Sequence, residues 1–436
     1  MFEGRLNKII VFLIYVSIFI NSYVLTKEPA EIYIGYLIFI ILLPSFIIRY
    51  SFPRHLIFIF SVLLISGLID IFLGNNTFPL FLKVFLGLFM SYLFYYYVVV
   101  ESGYNIEKLF QLYLKGCFIL SVIGVIQFIS FRLKFKYGYD YHWLLLNKWG
   151  VVSGGNFGIR VNSLFGEPSY FGTCISAGMF VSVYNLFVKR PYYLSKFRSV
   201  VILITYCLTF SSVAYMAIFI ALIVILVNFG FVRYILIFIP IIAGSFYFLY
   251  NNVHEFKDRY DSTVHIFSEA QYEIGKTNGS SIILYNNYHV AMENFSNNIL
   301  FGTGLGSHPI AFDKYSITKN VSVFGFALNS ADANSMLLRL ISETGLFGTV
   351  LMLFILFRCF ISRNSYEAVT EHYWIISAAI FVMIAVNLLR QGHYFLNGFP
   401  FFVWLYYYNY INFKKYISEK SESVELKEVV NTTPAA

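Results

Sequence analysis

Two arginines in separate parts of the chain have the type and position to bind an anionic group. Arg160 opens the segment RVNSLFGEPSYFG, shortly before a long apolar run, and Arg390 lies in LLRQGHYFLNG between two such runs. A guanidinium can grip phosphate oxygens through paired N–H donors, so both positions favour phosphate chemistry. The alternative for Arg160 is a solvated side chain next to the membrane. A positive residue in a short outer connection runs against the usual charge distribution, which raises Arg390 above the background.

A possible ion pair lies in the segment ANSMLLRLISETGLFG. Arg339 and Glu343 are four residues apart, so they share one face of a helix and can pair. Charges this far inside an apolar run are costly unless they face each other or a wet cavity. The pair therefore belongs either to a structural contact or to the site itself. Asn334 or Ser335 is placed to cap the helix that carries it.

A glycine-rich loop precedes that helix in the segment NNILFGTGLGSHP. Gly302, Gly304 and Gly306 alternate there. Such glycines permit positive φ and close backbone approach, and their free amides could hold an anion. Residues 282–296, just before the loop, carry apolar side chains at helical spacing, which predicts an amphipathic helix.

The composition decides what kind of fold must position these residues. Of 436 residues, 58% are hydrophobic and only 12% are charged, which excludes a soluble enzyme. The net charge of +8 does not indicate nucleic-acid binding, because the basic residues form no compact patch. The four cysteines lie in or at apolar runs, so cysteine chemistry is not expected.

The apolar runs predict an all-α, polytopic membrane protein with about twelve transmembrane helices. Runs of about 17 to 25 residues can cross the hydrocarbon as helices. The predicted spans are residues 9–25, 32–48, 56–73, 80–100, 109–129, 168–188, 197–212, 213–229, 234–250, 336–357, 373–389 and 395–411. Residues 197–229 are predicted to form two helices. A single over-long helix would reverse the orientation of every later segment and put its positive residues on the other side of the membrane.

Charge sets the expected orientation. With these spans, 17 of the 31 Lys and Arg residues fall on the side of the amino terminus. The positive-inside rule then places both termini in the cytoplasm. The chain divides into helices 1–5 (1–129), a basic outer loop (130–167), helices 6–9 (168–250), a large outer loop (251–335), helices 10–12 (336–411) and a cytoplasmic tail (412–436) expected to be disordered.

The first outer loop breaks the charge rule. It holds five basic residues, including Arg160, against Asp140 and Glu167, a net of +3. Long loops are exempt from the rule, which is one explanation, and an anion site is the other. Pro168 suits the first turn of the next helix, and Glu167 is placed to interact with its amino end.

The chain resembles the O-antigen polymerase and ligase superfamily of bacterial surface-polysaccharide assembly. The resemblance rests on the order of the segments RVNSLFGEPSYFG, LTFSSVAYMAIFIA, NNILFGTGLGSH, ANSMLLRLISETGLFG and LLRQGHYFLNG relative to the spans. The ligase branch typically has a histidine eleven positions before the glycine that Gly345 matches, and this chain has Asn334 there. The resemblance therefore favours the polymerase over the ligase.

The resemblance implies a C-type glycosyltransferase of the bacterial inner membrane that uses no metal and no other cofactor. Its substrate, as both donor and acceptor, would be a glycan linked to undecaprenyl pyrophosphate. Arg160 would hold the pyrophosphate, with Arg259, Arg390 and Arg339 as helpers. Arg160, Glu167 and His393 would form the catalytic set, Glu167 and His393 being candidates to deprotonate the attacking hydroxyl.

The expected partners are membrane lipid, a chain-length regulator and a flippase, and no nucleic acid. Two other functions stay open. A ligase would transfer finished polymer to the lipid A core. A polysaccharide or lipid transporter would share the twelve spans but would normally carry its charges near the bilayer midplane.

Overall fold

The protein is helical throughout the part that the structure, a computed structural model, describes. That part comprises residues 8–20, 24–26, 32–141, 151–153, 158–231, 240, 243–244, 246–247, 250–251, 254–269, 279–318, 322–323, 326–327, 329–363 and 370–432. Within it, extended structure is limited to a single bridge and two short antiparallel pairs, Val24–Thr26 with Ile32–Tyr33 and Ser322–Val323 with Phe326–Ala327. The predicted all-α class is confirmed.

The helices follow the apolar runs of the sequence. They are α1 (Lys8–Phe19), α2 (Ile34–Tyr50), α3 (Arg54–Phe72), α4 (Phe78–Glu101), α5 (Ile106–Arg132), α6 (Lys136–Tyr139), α7 (Pro168–Cys174), α8 (Ser176–Phe187), α9 (Lys196–Cys207), α10 (Ser212–Asn228), α11 (His254–Glu269), α12 (Gly279–Asn297), α13 (His308–Tyr315), α14 (Met336–Arg358), α15 (Glu371–Arg390) and α16 (Phe399–Thr432). The predicted amphipathic helix 282–296 is therefore present as α12.

Several helices can cross a membrane. Among the described residues, α3, α4, α5, α14 and α15 are long and apolar enough, and α7 with α8 adds a sixth if this pair, bent by 60°, is one span. Helices α2 and α10 are apolar but shorter. The predicted span 234–250 lies mostly outside the described residues. The count of twelve spans stays a prediction.

Two predicted boundaries are wrong. The sequence predicts a first span that reaches residue 25, but α1 ends at Phe19 and Val24–Thr26 is extended. The tail was expected to be disordered, but α16 continues through it to Thr432. Helix-forming Glu and Lys residues and the pair of Lys415 with Glu419, at 3.7 Å, favour that extension.

The expected break within residues 197–229 is present. Helix α9 ends at Cys207 and α10 begins at Ser212. Phe210, in the connection, has a φ of 44°, which a helix cannot accommodate. The freed carbonyl groups of this connection take part in the site described below.

Helix α15 lies at the centre of the bundle. It packs against α8, α10, α14 and α16, and 72% of its apolar window is buried, against 17% for α3 at the periphery. Small side chains such as Ser377, Ala378 and Ala379 let the neighbouring helices approach closely. The carboxyl end of this buried helix carries Arg390.

Candidate active site

The backbone before α7 is anchored at the break between α9 and α10. The Val161 N–H donates to the Leu208 carbonyl at 3.0 Å, and the Arg160 Nε donates to the Thr209 carbonyl at 3.3 Å. The Arg160 N–H donates to the Val152 carbonyl at 3.0 Å. The break that ends one helix therefore supplies the acceptors that orient Arg160.

A buried glutamine fixes the turn that follows. The Gln127 Oε1 accepts from the Asn162 and Ser163 N–H groups, at 3.1 and 2.9 Å. Its Nε2 donates to the Asn162 Oδ1 at 2.8 Å. Ser163 has a φ of 50°, a conformation that these bonds help to hold. Gln127 thus ties the chain between Arg160 and α7 to the long helix α5.

Helix α7 begins at Pro168, as the sequence predicts, and Glu167 is its N-cap residue. Glu167 thus lies at the helix amino end, as the sequence predicts, and its side chain makes no capping hydrogen bond. Its carboxylate interacts with the Ser169 side chain instead. Pro168 has no N–H group that would need an acceptor, so the helix can begin here without a hydrogen bond from the Glu167 carboxylate.

One polar cavity of about 240 Å³ brings together residues from four of the predicted segments. Its lining includes Arg160, Glu167, Arg390 and His393. It lies where α7, α10 and α14 begin and α15 ends. The sequence predicts these four helix ends on the outer face of the membrane, and the structure gathers them around one cavity.

Glu167 interacts electrostatically with both arginines of this cavity. Burial raises the pKa of its carboxyl group above the usual range, while the charges of Arg160 and Arg390 act in the opposite direction. Among the described residues, none forms an ion pair with Arg390 within 4.0 Å, although Glu167 interacts with it electrostatically. The cavity therefore holds two arginines together with Glu167, a carboxyl group whose burial disfavours the charged form.

Asp332 is a cavity residue that the sequence did not reveal. Its Oδ2 lies 3.0 Å from the His393 Nε2. Its Oδ1 accepts from the Asn334 N–H and from the Asn329 Nδ2, both at 2.9 Å. Burial disfavours its charge, but His393, the Asn334 N–H and Arg339 together hold the pKa of Asp332 well below its usual range. Asp332 is therefore an anion fixed beside a histidine.

Arg339 lies behind the cavity wall rather than in the lining, so the structure does not support its predicted contact with pyrophosphate. It is 5% exposed and its Nε donates to the Glu343 Oε1 at 2.8 Å, so the pair expected from the sequence is present. Its NH1 donates to the Gly392 carbonyl at 2.8 Å, and its guanidinium lies 4.5 Å from the Tyr394 ring centre. Both residues flanking His393 are thus held by Arg339.

The glycine loop does hold an anion, but the anion is Glu343 of the same chain. Glu343 is fully buried. Besides Arg339, its carboxylate accepts from the Tyr394 hydroxyl and the Gly306 N–H, both at 2.9 Å, and from the His308 N–H at 3.4 Å. The expectation that these glycines offer free amides for a ligand is therefore not supported for Gly306.

A kink in α14 at Gly345 allows the glycine loop, which contains Gly302, Gly304 and Gly306, to pack against this helix. Gly345, inside the helix, has a φ of 60° and a ψ of −154°, which only glycine adopts readily. The Leu346 N–H, freed by the kink, donates to the Ile299 carbonyl at 2.8 Å. The Gly304 N–H donates to the Glu343 carbonyl at 2.8 Å. Helix capping follows the sequence, with the Ser335 side chain accepting from the Leu338 N–H.

Two of the predicted positive residues cannot be placed at the cavity. Arg259 lies on α11, but its side chain is outside the described part of the chain. Lys148 of the basic loop lies outside the described residues altogether. Of the remaining polar lining, Ser211 lies in the segment LTFSSVAYMAIFIA, while Tyr170 and Gln391 have no sequence signal beyond their proximity to Arg160 and Arg390.

The fold and cavity together define a helical membrane protein with a charged, polar cavity at the clustered ends of several helices. Comparison of the sequence with protein-family models and with curated proteins found no match. The resemblance to the O-antigen polymerase and ligase superfamily therefore stays a prediction.

Proposed function

We propose that the protein is a glycosyltransferase that polymerises oligosaccharide repeat units linked to undecaprenyl pyrophosphate. It would build O-antigen or a related surface polysaccharide on the outer face of the bacterial plasma membrane. About twelve spans with both termini in the cytoplasm would place the cavity on that face. A flippase would deliver the lipid-linked repeats, and a chain-length regulator would set the length of the polymer.

The observation that carries this proposal is the pair of arginines in one cavity. Arg160 and Arg390 come from distant parts of the sequence and line the same 240 Å³ space. The cavity also holds two carboxylates, the anion Asp332 and Glu167, whose pKa burial raises, so one positive charge is in excess when Glu167 is protonated. A pyrophosphate ester at the membrane surface is an anion, and bidentate arginine contacts suit its oxygens.

The proposed reaction transfers a sugar chain between lipid carriers. A hydroxyl of one repeat unit attacks the anomeric carbon of the growing chain and forms the new glycosidic bond. The bond from that carbon to the pyrophosphate oxygen breaks, and its electron pair leaves with undecaprenyl pyrophosphate. Arg160 and Arg390 stabilise the charge that develops on the leaving group. The hydroxyl proton passes to a base in the cavity, for which Glu167 and His393 are the candidates.

Purified protein in detergent tests this function, because detergent leaves no membrane to transport across. We expect wild-type protein to convert lipid-linked repeats into polymer, seen as a ladder on gels. Arg160→Ala should lower the rate by about 100-fold or more, since one preorganised charge at the leaving group is lost. Arg160→Lys should recover only part of that rate, because lysine keeps the charge but not the paired donors.

Lys134→Ala is the matched control, because Lys134 belongs to the same basic loop, is exposed and does not line the cavity. Its polymer should equal that of the wild type. Undiminished polymer from correctly folded Arg160→Ala protein would exclude Arg160 from the reaction. A purified wild type that makes no polymer from any defined lipid-linked repeat would refute the proposed function.

A further inference from the structure

The cavity contains two candidate bases for the acceptor hydroxyl, Glu167 and His393. His393 lies in the connection after α15. Asp332 lies 61 positions earlier, in the connection before α14. The structure joins them at 3.0 Å, and both line the cavity. The side chain of His393 is 24% exposed, so a ligand in the cavity can reach it.

We propose that Asp332 is a positioning residue that makes His393 the base for the acceptor hydroxyl. This inference rests on the proposed function and deepens it. An ionised carboxylate only accepts hydrogen bonds, so the His393 nitrogen that faces Asp332, Nε2, must carry the hydrogen. In a neutral imidazole the other nitrogen, Nδ1, then has the free electron pair and accepts the proton.

The carboxylate of Asp332 is itself held in place. The Asn334 N–H and the Asn329 Nδ2 both donate to its Oδ1, which leaves Oδ2 for His393. The adjacent Gly392 lies so close that a Cβ there would be 2.6 Å from the Asp332 Oδ1. The backbone therefore approaches Asp332 as closely as only a glycine allows.

The ring and backbone of His393 are also fixed. The Tyr170 ring meets the His393 ring edge to face, with centroids 6.2 Å apart. Arg339 holds the Gly392 carbonyl, and Glu343 accepts from the Tyr394 hydroxyl. A base that is held on both sides loses little orientational freedom when the acceptor arrives.

The proton step balances within the proposed reaction. As the acceptor oxygen bonds to the anomeric carbon, its proton passes to the His393 Nδ1. The electron pair of the breaking bond leaves with the pyrophosphate. The imidazolium that forms is stabilised by Asp332, which keeps its negative charge throughout.

The variant Asp332→Asn tests this role because it keeps the shape and the acceptor Oδ1 but turns Oδ2 into an amide donor. That amide would donate to the His393 Nε2 and reverse the tautomer. We expect kcat to fall by about 100-fold or more, the size of a general-base contribution. Binding of undecaprenyl pyrophosphate, measured by its competition with the lipid-linked repeat, should not weaken, since the arginines are unchanged and the variant removes a negative charge from the cavity.

Nitrogen-15 NMR of histidine-labelled protein reads the tautomer directly, with His393→Gln used to assign the signal. Wild-type protein should show Nε2–H, and Asp332→Asn should show Nδ1–H. Asp313→Asn is the matched control, because Asp313 is an exposed acid of α13 outside the cavity. It should alter neither the rate nor the signal.

The outcomes separate the two proposals. A wild-type Nδ1–H tautomer overturns the role of Asp332, and this holds even if Asp332→Asn fails to fold. A reversed tautomer with an unchanged polymerisation rate also overturns it. A wild type that shows Nε2–H but polymerises no lipid-linked repeat refutes the proposed function, and with it the acceptor role of His393.

Discussion

Replacing Glu343 should destabilise the protein more than replacing its partner Arg339, and the hydrogen bonds predict the difference. We compare Glu343→Leu with Arg339→Met, two apolar replacements of similar shape. Without Glu343, the buried guanidinium keeps only the Gly392 carbonyl among these contacts, and the donors of Gly306 and Tyr394 lose their acceptor. Without Arg339, the carboxylate still accepts from both of those donors.

The magnitudes follow from these contacts. Stranding one member of a buried ion pair costs about 3–5 kcal/mol. Each buried donor left without an acceptor adds about 1–3 kcal/mol. Glu343→Leu should therefore lower the free energy of unfolding by about 5 kcal/mol or more. Arg339→Met should cost about 3 kcal/mol, because two donors still solvate the remaining carboxylate.

The double variant sharpens the comparison. Arg339→Met with Glu343→Leu removes the stranded cation, so it should be about 2 kcal/mol less costly than the sum of the single changes. Reversible unfolding in mixed micelles, followed by tryptophan fluorescence, measures all three. Arg358→Met is the control, because Arg358 lies exposed on the same helix and should change stability by less than about 1 kcal/mol.

Two results would refute this reasoning. One is an Arg339→Met protein as unstable as Glu343→Leu, which would mean that the amide and hydroxyl donors contribute nothing. The other is strict additivity in the double variant, which would mean that the two side chains are not energetically coupled.

Two further predictions concern Glu167 and Gly345. Burial already raises the pKa of Glu167, and a bound pyrophosphate adds negative charge beside this carboxyl group. Pyrophosphate binding should therefore favour the protonated form of Glu167. The affinity should increase as pH falls through the raised pKa. Glu167→Gln should remove this part of the pH dependence, measured by titrating undecaprenyl pyrophosphate at several pH values, and an unchanged dependence would exclude the linkage. Gly345→Ala should lower the free energy of unfolding by more than about 3 kcal/mol, because of its positive φ and of a Cβ only 2.6 Å from the Gly302 nitrogen. Gly279→Ala, whose Cβ would meet nothing within 4 Å, should change it by less than about 0.5 kcal/mol, and equal losses would contradict the close approach.

Local patterns in the sequence predicted much of this architecture. The helix start at Pro168, the Ser335 cap and the pairing of Arg339 with Glu343 all depend on residues within a few positions of each other. The break between α9 and α10 followed from the requirement that charges fall on one side of the membrane. The length of an apolar run and the helical spacing of its residues are visible in the sequence, so they predict helices and their ends directly.

The contacts that shape the cavity depend on long-range packing instead. Asp332 sits in a polar connection without a recognisable motif, and only the fold brings it to His393. The glycine loop has the composition of an anion site, but nothing local indicates that Glu343, on a later helix, is the anion. The tail is poor in apolar residues, which favours disorder, but its Glu and Lys residues have the helix propensity with which α16 extends to Thr432.

The contacts of Glu343 with the glycine loop and with Arg339 can form only in a certain order during synthesis. The loop with Gly302, Gly304 and Gly306 leaves the ribosome before Glu343, and Arg339 and Glu343 precede the Gly392 and Tyr394 that they hold. Each of these contacts can therefore form only after a later part of the chain has been inserted. Because Arg390 and His393 follow the other residues that line the cavity, the cavity closes only after α15 has been synthesised. The nascent chain therefore has no complete cavity before α15 and the residues that follow it have been synthesised.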